Sequence, residues 1–348
     1  MQHRFTARIT TALTAFALAA GGAWGQGTGA QPGAAQRVQT TSAATCTDPS
    51  PSHAKLADLV VGFSQSENEQ NPFRAGETNS VRDAAKSMGV KKLLYTNAND
   101  NEAKQVADIQ SMIAQGAQAI IVAPINATGL QPALAAAAAK NIPVVTIDRQ
   151  TAGTPCRDFI AFMGSDFLTQ GKRAGDALAQ ATGGKAEIAE IQGAYGNSVE
   201  TQRTDGFADA LKAHPDMHLV AAQTGNWSAT DAQRVMEQLL LAHPNITALY
   251  AQADVMALGA MQAIKQAGKQ PGKDITVVSI DGTKAAVQDI ADGTIAAVVE
   301  TNPRFGPQAF GALEAWFDGK PVPQTIIMDD TLYDKANAAK ALESGAPY

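Results

Sequence analysis

Residues 119–150 read AIIVAPINATGLQPALAAAAAKNIPVVTIDRQ. The stretch opens on a short apolar run, 119–123, passes through an alanine-rich segment, 130–140, and closes on a second run, 143–147. Short Ile- and Val-rich runs predict buried strands, and the alanine-rich segment between them predicts a helix. Strand, helix and strand in so little chain call for a parallel sheet with helices on both faces. Working outward, the same rhythm recurs at about 27 residues. A strand is predicted at 59–64 and a helix at 73–88, stopped by Gly89. A strand follows at 91–95, then a helix at 102–115 with Val106, Ile109 and Ile113 on one face. Beyond residue 150 the rhythm starts again. Strands are predicted at 159–163, 186–191, 218–224, 248–251, 276–280 and 295–300. Helices are predicted at 167–181, 199–213, 229–241, 256–267 and 305–317. Two successive α/β sheets imply two lobes facing one another, although the sequence itself does not repeat.

The chain has 348 residues, 45% hydrophobic and 17% charged, with a formal charge of −6. That apolar content excludes full disorder, and an acidic chain with scattered basic residues argues against a broad nucleic-acid surface. No apolar run approaches about 18 residues, so no membrane-spanning helix is expected. Two cysteines exclude a disulfide-framework fold and a four-thiolate zinc site.

At the N-terminus, His3, Arg4 and Arg8 precede a short apolar stretch, 9–20, and then Ala23-Trp24-Gly25. This is a secretory signal pattern, with cleavage expected near Gly25/Gln26. Its removal leaves 25 basic against 33 acidic side chains. Residues 26–54, rich in Gln, Gly, Ala, Thr, Ser and Pro, read as a flexible leader. Cys46 lies too far behind the apolar stretch to be a lipid-anchor cysteine.

Ligands of open parallel sheets bind in the crevice outside the carboxyl ends of the strands. Ser64 and Gln65 follow the first strand, then a polar loop and Phe73-Arg74. Asp148-Arg149 follow the fourth. In the second half come Gln252 and Asp254, then Asp281-Gly282, then Glu300, Thr301 and Asn302. A helix N-cap is the plain alternative for any one of them, and Asp254 is the best case for it. Asp148, Arg149 and Asp281 cap nothing obvious. Carboxylates and guanidinium groups on opposing lobes suit a sugar, because vicinal hydroxyls both donate and accept. Phe73 and Trp227 could cover the C–H patch of its ring, or could equally be core residues.

Several segments together resemble the periplasmic sugar-binding proteins of ABC importers, in the ribose- and galactofuranose-binding branch. They are VVGFSQ (60–65), PFRAGETNS (72–80), IVAPINATG (121–129), VVTIDRQ (144–150), QRTDGFADAL (202–211), YAQADVMALGAMQAIKQAG (250–268), VVSIDGT (277–283) and GPQAF (306–310). The resemblance implies a type I periplasmic binding protein-like fold: two doubly wound parallel-sheet lobes joined by a three-segment hinge. The crossings are expected near 153–158, 300–303 and 321–325. The first lobe then spans 55–157 plus 302–323, and the second 158–301 plus 324–348. Carried over by position, Phe73, Arg74, Asp148 and Arg149 line the first lobe, and Arg203, Asp254 and Asp281 the second. Where the family usually has Asn-Asp, this chain has Ala253-Asp254, and Gln252 or Asn302 could compensate for the lost amide. Ser64 and Trp227 complete the expected sugar-contacting set.

The implied function is capture of a monosaccharide in the periplasm and its delivery to an ABC permease, by a monomer with no cofactor and no catalytic residue. A sugar-sensing partner of a chemoreceptor or sensor kinase is the alternative, and a glycoside-processing enzyme the rival from another class. The sequence contains no phosphate-binding loop, zinc-protease or nucleophile-elbow motif, and no metal site is expected. Export places the chain where disulfides persist. Cys46 precedes the first strand of the first lobe and Cys156 follows its last, so a Cys46–Cys156 bridge is expected.

Overall fold

The computed structural model describes residues 38–348. The expected signal peptide (1–25) and the expected leader as far as residue 37 lie outside the described residues. In chain order the strands are β1 (Val38–Thr41), β2 (Thr45–Cys46), β3 (Val60–Gln65), β4 (Lys92–Asn97), β5 (Ala119–Val122), β6 (Val144–Ile147), β7 (Ala161–Gly164), β8 (Lys185–Gln192), β9 (Asp216–Thr224), β10 (Ala248–Ala251), β11 (Thr276–Asp281), β12 (Ala297–Glu300), β13 (Val322–Pro323), β14 (Thr325–Met328) and β15 (Leu332–Asp334). The helices are α1 (Pro72–Ser87), α2 (Glu102–Ala114), α3 (Gln131–Ala138), α4 (Phe167–Thr182), α5 (Ser198–Leu211), α6 (Ala229–Ala242), α7 (Asp254–Gln266), α8 (Lys284–Ala291), α9 (Gly306–Phe317) and α10 (Ala338–Ser344).

Two sheets organise these elements. The first has the order β1-β14-β7-β6-β5-β3-β4, the second β15-β12-β11-β10-β8-β9. Only β1 and β15 pair antiparallel within them, each at an edge. Strands β5, β6, β10 and β12 are buried on both faces, which is why their sequences are continuous apolar runs. The core of the first lobe includes Phe63, Ile121, Val145 and Phe310. That of the second includes Leu249, Val277 and Val298, with Phe207 stacked on Tyr250 at 4.1 Å on the opposite face of the sheet.

The lobe boundaries differ from expectation. Strand β7, expected to open the second lobe, pairs with β6 and β14 in the first sheet. Strand β14 also belongs to the first sheet, and β15 to the second. The chain therefore crosses at 165–166, 301–305 and 329–331, not near 153–158 or 321–325. An apolar run such as AFMG carries no local mark of which sheet it joins, and pairing alone decides. The leader is corrected as well. Within the stretch expected to be flexible, β1 pairs with β14 and β2 with β13. Backbone pairing, helped by β-branched Val38, Thr40, Thr41 and Thr45, orders a stretch too polar to build a core. Cys46 and Cys156 are disulfide-bonded, with Cα atoms 5.2 Å apart. The bridge joins β2 to the loop that precedes β7.

Two helices of the second lobe approach closely. A side chain at Gly171 of α4 would meet the backbone oxygen of Arg203 at 2.2 Å, and one at Gly206 of α5 would meet that of Leu168 at 2.0 Å. Glycine at both places lets the backbones touch, which sets Arg203 beside Gln170.

Candidate functional site

The strand ends of both sheets face one cleft. It is lined by residues of both lobes. From the first lobe come Glu67 and Asn71 of the loop after β3, Phe73 and Arg74 of the first turn of α1, and Asp148 and Arg149 after β6. From the second come Val199 and Arg203 of α5, Trp227 between β9 and α6, Ala253 after β10, Asp281 at the end of β11, and Thr301 after β12. The start of α1 is fixed locally: Asn71 accepts from the backbone N–H of Phe73 at 3.0 Å, and Pro72 opens the helix. Asn197 caps α5 in the same way, accepting from Val199 and Glu200.

The first-lobe wall is a buried ion network. Arg74 reaches Asp148 at 2.7 Å, Glu77 at 2.8 Å and Glu67 at 3.4 Å. Arg149 pairs with Glu67, lies 3.6 Å from Asp148, and donates to the backbone oxygen of Ile125 at 3.1 Å. Burial pushes Glu67 up, but Arg149 and Arg74 together outweigh it and hold the carboxyl down at about 2. On the opposite wall the three guanidinium nitrogens of Arg203 donate to Gln170 Oε1 (3.0 Å), the backbone oxygen of Gln252 (2.6 Å) and Thr301 Oγ1 (2.7 Å). Its guanidinium lies between the rings of Phe167 and Trp227, 5.6 and 5.9 Å from their centroids. Asp281 stands 3.8 Å from Arg203, and burial pushes its carboxyl well up against that attraction.

Backbone strain marks the same residues. Asp148 has φ of 64°, Asp281 of 141° and Trp227 of 57°. Positive φ is unfavourable for such side chains and tends to concentrate at functional sites. Trp227 packs against Gly193, where a β-carbon would come within 1.9 Å of the indole. Its Nε1 is buried and has no hydrogen-bond partner among the described residues. The same holds for Arg74 Nε, Arg149 Nε and Asp148 Oδ2, whose ionic neighbours lie outside hydrogen-bonding geometry. All four atoms belong to residues that line the cleft.

Seven of the ten expected contacts line this cleft: Phe73, Arg74, Asp148, Arg149, Arg203, Trp227 and Asp281. Three do not. Asp254 is turned away: Ser279 donates to its Oδ1, while Gly282 N, Thr283 N and Thr283 Oγ1 donate to its Oδ2 at 2.8–2.9 Å. It ties the β11–α8 loop to α7, and its backbone N–H meets Asp281 Oδ2 at 3.3 Å. Ser64 is buried inside β3. Asn302 lies in the second crossing, where its Oδ1 accepts from the N–H of Arg304. Sequence reasoning missed Glu67, Asn71 and Val199 as lining residues, and it placed Ala253 and Thr301 behind their strands without counting them among the contacts. The pair Asn71-Pro72 was a readable signal, since an N-cap followed by proline places Phe73 and Arg74 in a first turn. Among the described residues no group of three or more metal-ligating side chains occurs, and no helix is long and apolar enough to cross a membrane.

Residues 61–321 match the family model described as the periplasmic binding protein domain. The chain belongs to the periplasmic binding protein family. It is 36% identical to the galactofuranose-binding protein of Escherichia coli K12 over 297 residues, 84% of this chain and 93% of that one. It is 34% identical to the ribose import binding protein of Bacillus subtilis over 270 residues, 77% and 85% of the two chains. Among solved structures, it resembles the periplasmic binding protein component of the arabinose ABC transporter from Shewanella sp. ANA-3 bound to α- and β-L-arabinofuranose. That match has a TM-score of 0.78 and 36% identity, covering 82% of this chain and 94% of the other. The two-lobed parallel architecture is that of the type I members of the family.

Proposed function

We propose that this periplasmic binding protein captures a neutral monosaccharide between its lobes in the periplasm and hands it to an ABC import permease. The observation that carries the reading is charge balance in a polar cleft lined by both lobes. Three carboxylates (Glu67, Asp148, Asp281) and three guanidinium groups (Arg74, Arg149, Arg203) line it. A cleft with no net formal charge favours neither an anion nor a cation. Its guanidinium donors and carboxylate acceptors suit adjacent hydroxyls, each of which both gives and takes a hydrogen bond. The aromatic faces of Phe73 and Trp227 suit the C–H patches of a sugar ring. The galactofuranose-, ribose- and arabinofuranose-binding relatives support a pentose or a furanose over a larger glycan. The ion network makes the first-lobe wall rigid before any sugar arrives, which lowers the ordering cost of binding.

A thermal-shift panel of L-arabinose, D-ribose, D-galactose and a galactofuranoside tests this reading. A sugar at about 100 times its Kd adds about 2.7 kcal/mol to stability, which raises the Tm by several degrees. Cleavage of the galactofuranoside, followed by release of its aglycone, would replace the receptor reading with the enzymatic one.

A further inference from the structure

One carboxylate gathers the three crossings of the chain. Asp330 lies in the third. Its Oδ1 accepts from Ser165 Oγ in the first crossing and from the backbone N–H of Asn302 in the second, both at 3.0 Å. Its Oδ2 accepts from Gln170 Nε2 at 2.8 Å. Gln170 is buried in the first turn of α4, and its Nε2 also reaches the backbone oxygen of Glu300 (3.1 Å) and Thr301 Oγ1 (3.2 Å). The other end of this amide, Oε1, accepts from Arg203 Nε at 3.0 Å. Arg203 lines the cleft; Gln170 and Asp330 do not.

We infer that Asp330 is a positioning residue that acts through Gln170 on Arg203, so that the angle between the lobes and the aim of Arg203 are set together. This inference rests on reading the cleft as a sugar site. The argument is one of hydrogen-bond polarity. An amide has one accepting end and one donating end, and Gln170 serves Arg203 only if its oxygen faces α5. Asp330, accepting on the other side, holds it that way round. Three donors converge on the two Asp330 oxygens, from Ser165, Asn302 and Gln170. Rotation of one lobe moves these donors relative to one another, because each sits on a different crossing or beside it. The Gln170 amide moves with them, and so does the acceptor of Arg203 Nε.

The polarity argument supplies its own test. Asp330→Asn keeps the shape but has a single accepting atom, so either Asn302 N–H or Gln170 Nε2 then faces a donor. Gln170→Glu sets a second carboxylate against Asp330. The double variant restores the match: the new amide at position 330 donates to the new carboxylate at position 170, which still accepts from Arg203. Native and variant chains are titrated calorimetrically with L-arabinose, D-ribose and D-galactose, and compared on whichever of the three the native chain binds most tightly. Each single variant is expected to weaken binding about tenfold or more, and the double variant to return within about threefold of native. Small-angle scattering with and without that sugar is expected to show a smaller contraction in the single variants and recovery in the double. Where Asp330→Asn fails to fold, the comparison of Gln170→Glu with the double variant carries the test alone. Unchanged affinity in both single variants overturns the inference. So does a double variant as weak as the two losses combined. A native chain that binds none of the three sugars overturns the sugar reading itself, and the inference with it.

Discussion

Asp148 and Asp281 occupy corresponding places in the two lobes. Each stands at the carboxyl end of a central parallel strand, each has positive φ, and each has an arginine within 4 Å: Arg74 at 2.7 Å from Asp148, Arg203 at 3.8 Å from Asp281. Burial is the main upward push on Asp281, and Asp148 adds a smaller one. Both are buried and both have strained backbones, and a ligand that donates hydroxyls to them would offset part of that cost.

Asp281→Asn separates binding from stability. Asparagine keeps the shape of the side chain and removes a buried charge that burial opposes. The variant is expected to unfold at the same temperature as the native chain or higher, yet to lose sugar affinity by about tenfold to a hundredfold, equivalent to about 1–3 kcal/mol. Thermal denaturation and titration calorimetry on the same preparation read the two effects. A variant that loses stability and keeps its affinity would assign Asp281 to the fold alone.

Trp227 should report occupancy by fluorescence. It lines the cleft beside Arg203, while Trp316 lies in α9 against the first-lobe core. Saturation with the sugar is expected to change the emission of the native chain and leave Trp227→Phe unchanged. Gly193→Ala is a second probe, because its methyl would displace the indole. Its expected result is weaker binding with near-native far-ultraviolet circular dichroism.

Stability should fall between about pH 4 and pH 7. Glu190 and Asp330 are buried with hydrogen-bond donors but no ion pair among the described residues, and burial pushes each up to about 7. Their ordinary values are 4.5 and 3.8. Within that window the folded chain holds protons that the unfolded chain has released, so stability declines as pH rises and levels off above about 7. Glu67 has the opposite sign: held at about 2, it stabilises above its ordinary value of 4.5, and that contribution is lost as pH falls towards 2. The Tm is expected to peak near pH 4 and to be several degrees lower at pH 8. Glu190→Gln should flatten the decline, and an unchanged slope would discount Glu190.

Reducing the Cys46–Cys156 bridge should cost about 2–4 kcal/mol. The bridge closes a separation of 110 residues and fastens β2, which pairs with only two residues of β13. Urea denaturation of Cys46→Ser/Cys156→Ser against the oxidised native chain measures the loss. Sugar affinity is expected to survive, since none of the cleft-lining residues lies on β1, β2 or β13.

The central strands and the residues that follow them could be read from the sequence because both signals are local. A continuous apolar run ending in Asp148-Arg149 or Asp281-Gly282 states burial and then a change of environment. Assignment of β7 and β14 to the first sheet could not be read this way, because it depends on pairing between residues such as Phe162 and Thr325. Asp254 shows the limit within the site. Its position after a strand fitted a contact or a cap equally, and only the four converging donors decide between them. Asp330 carried no signal at all, since its partners Ser165, Gln170 and Asn302 come from distant parts of the chain.

The pairing of β1 with β14 also fixes the order in which the molecule can be completed. Val38 is among the first described residues to be synthesised, and its partner Met328 among the last. Until residues 325–328 emerge, β7 is an open sheet edge and β1 has no strand to join. The second sheet lacks only its edge strand by residue 300, so the lobe that begins later in the chain reaches a near-complete sheet first. A ribosome stalled before residue 325 would therefore carry a chain whose second lobe resists protease while its earliest segment is still cut.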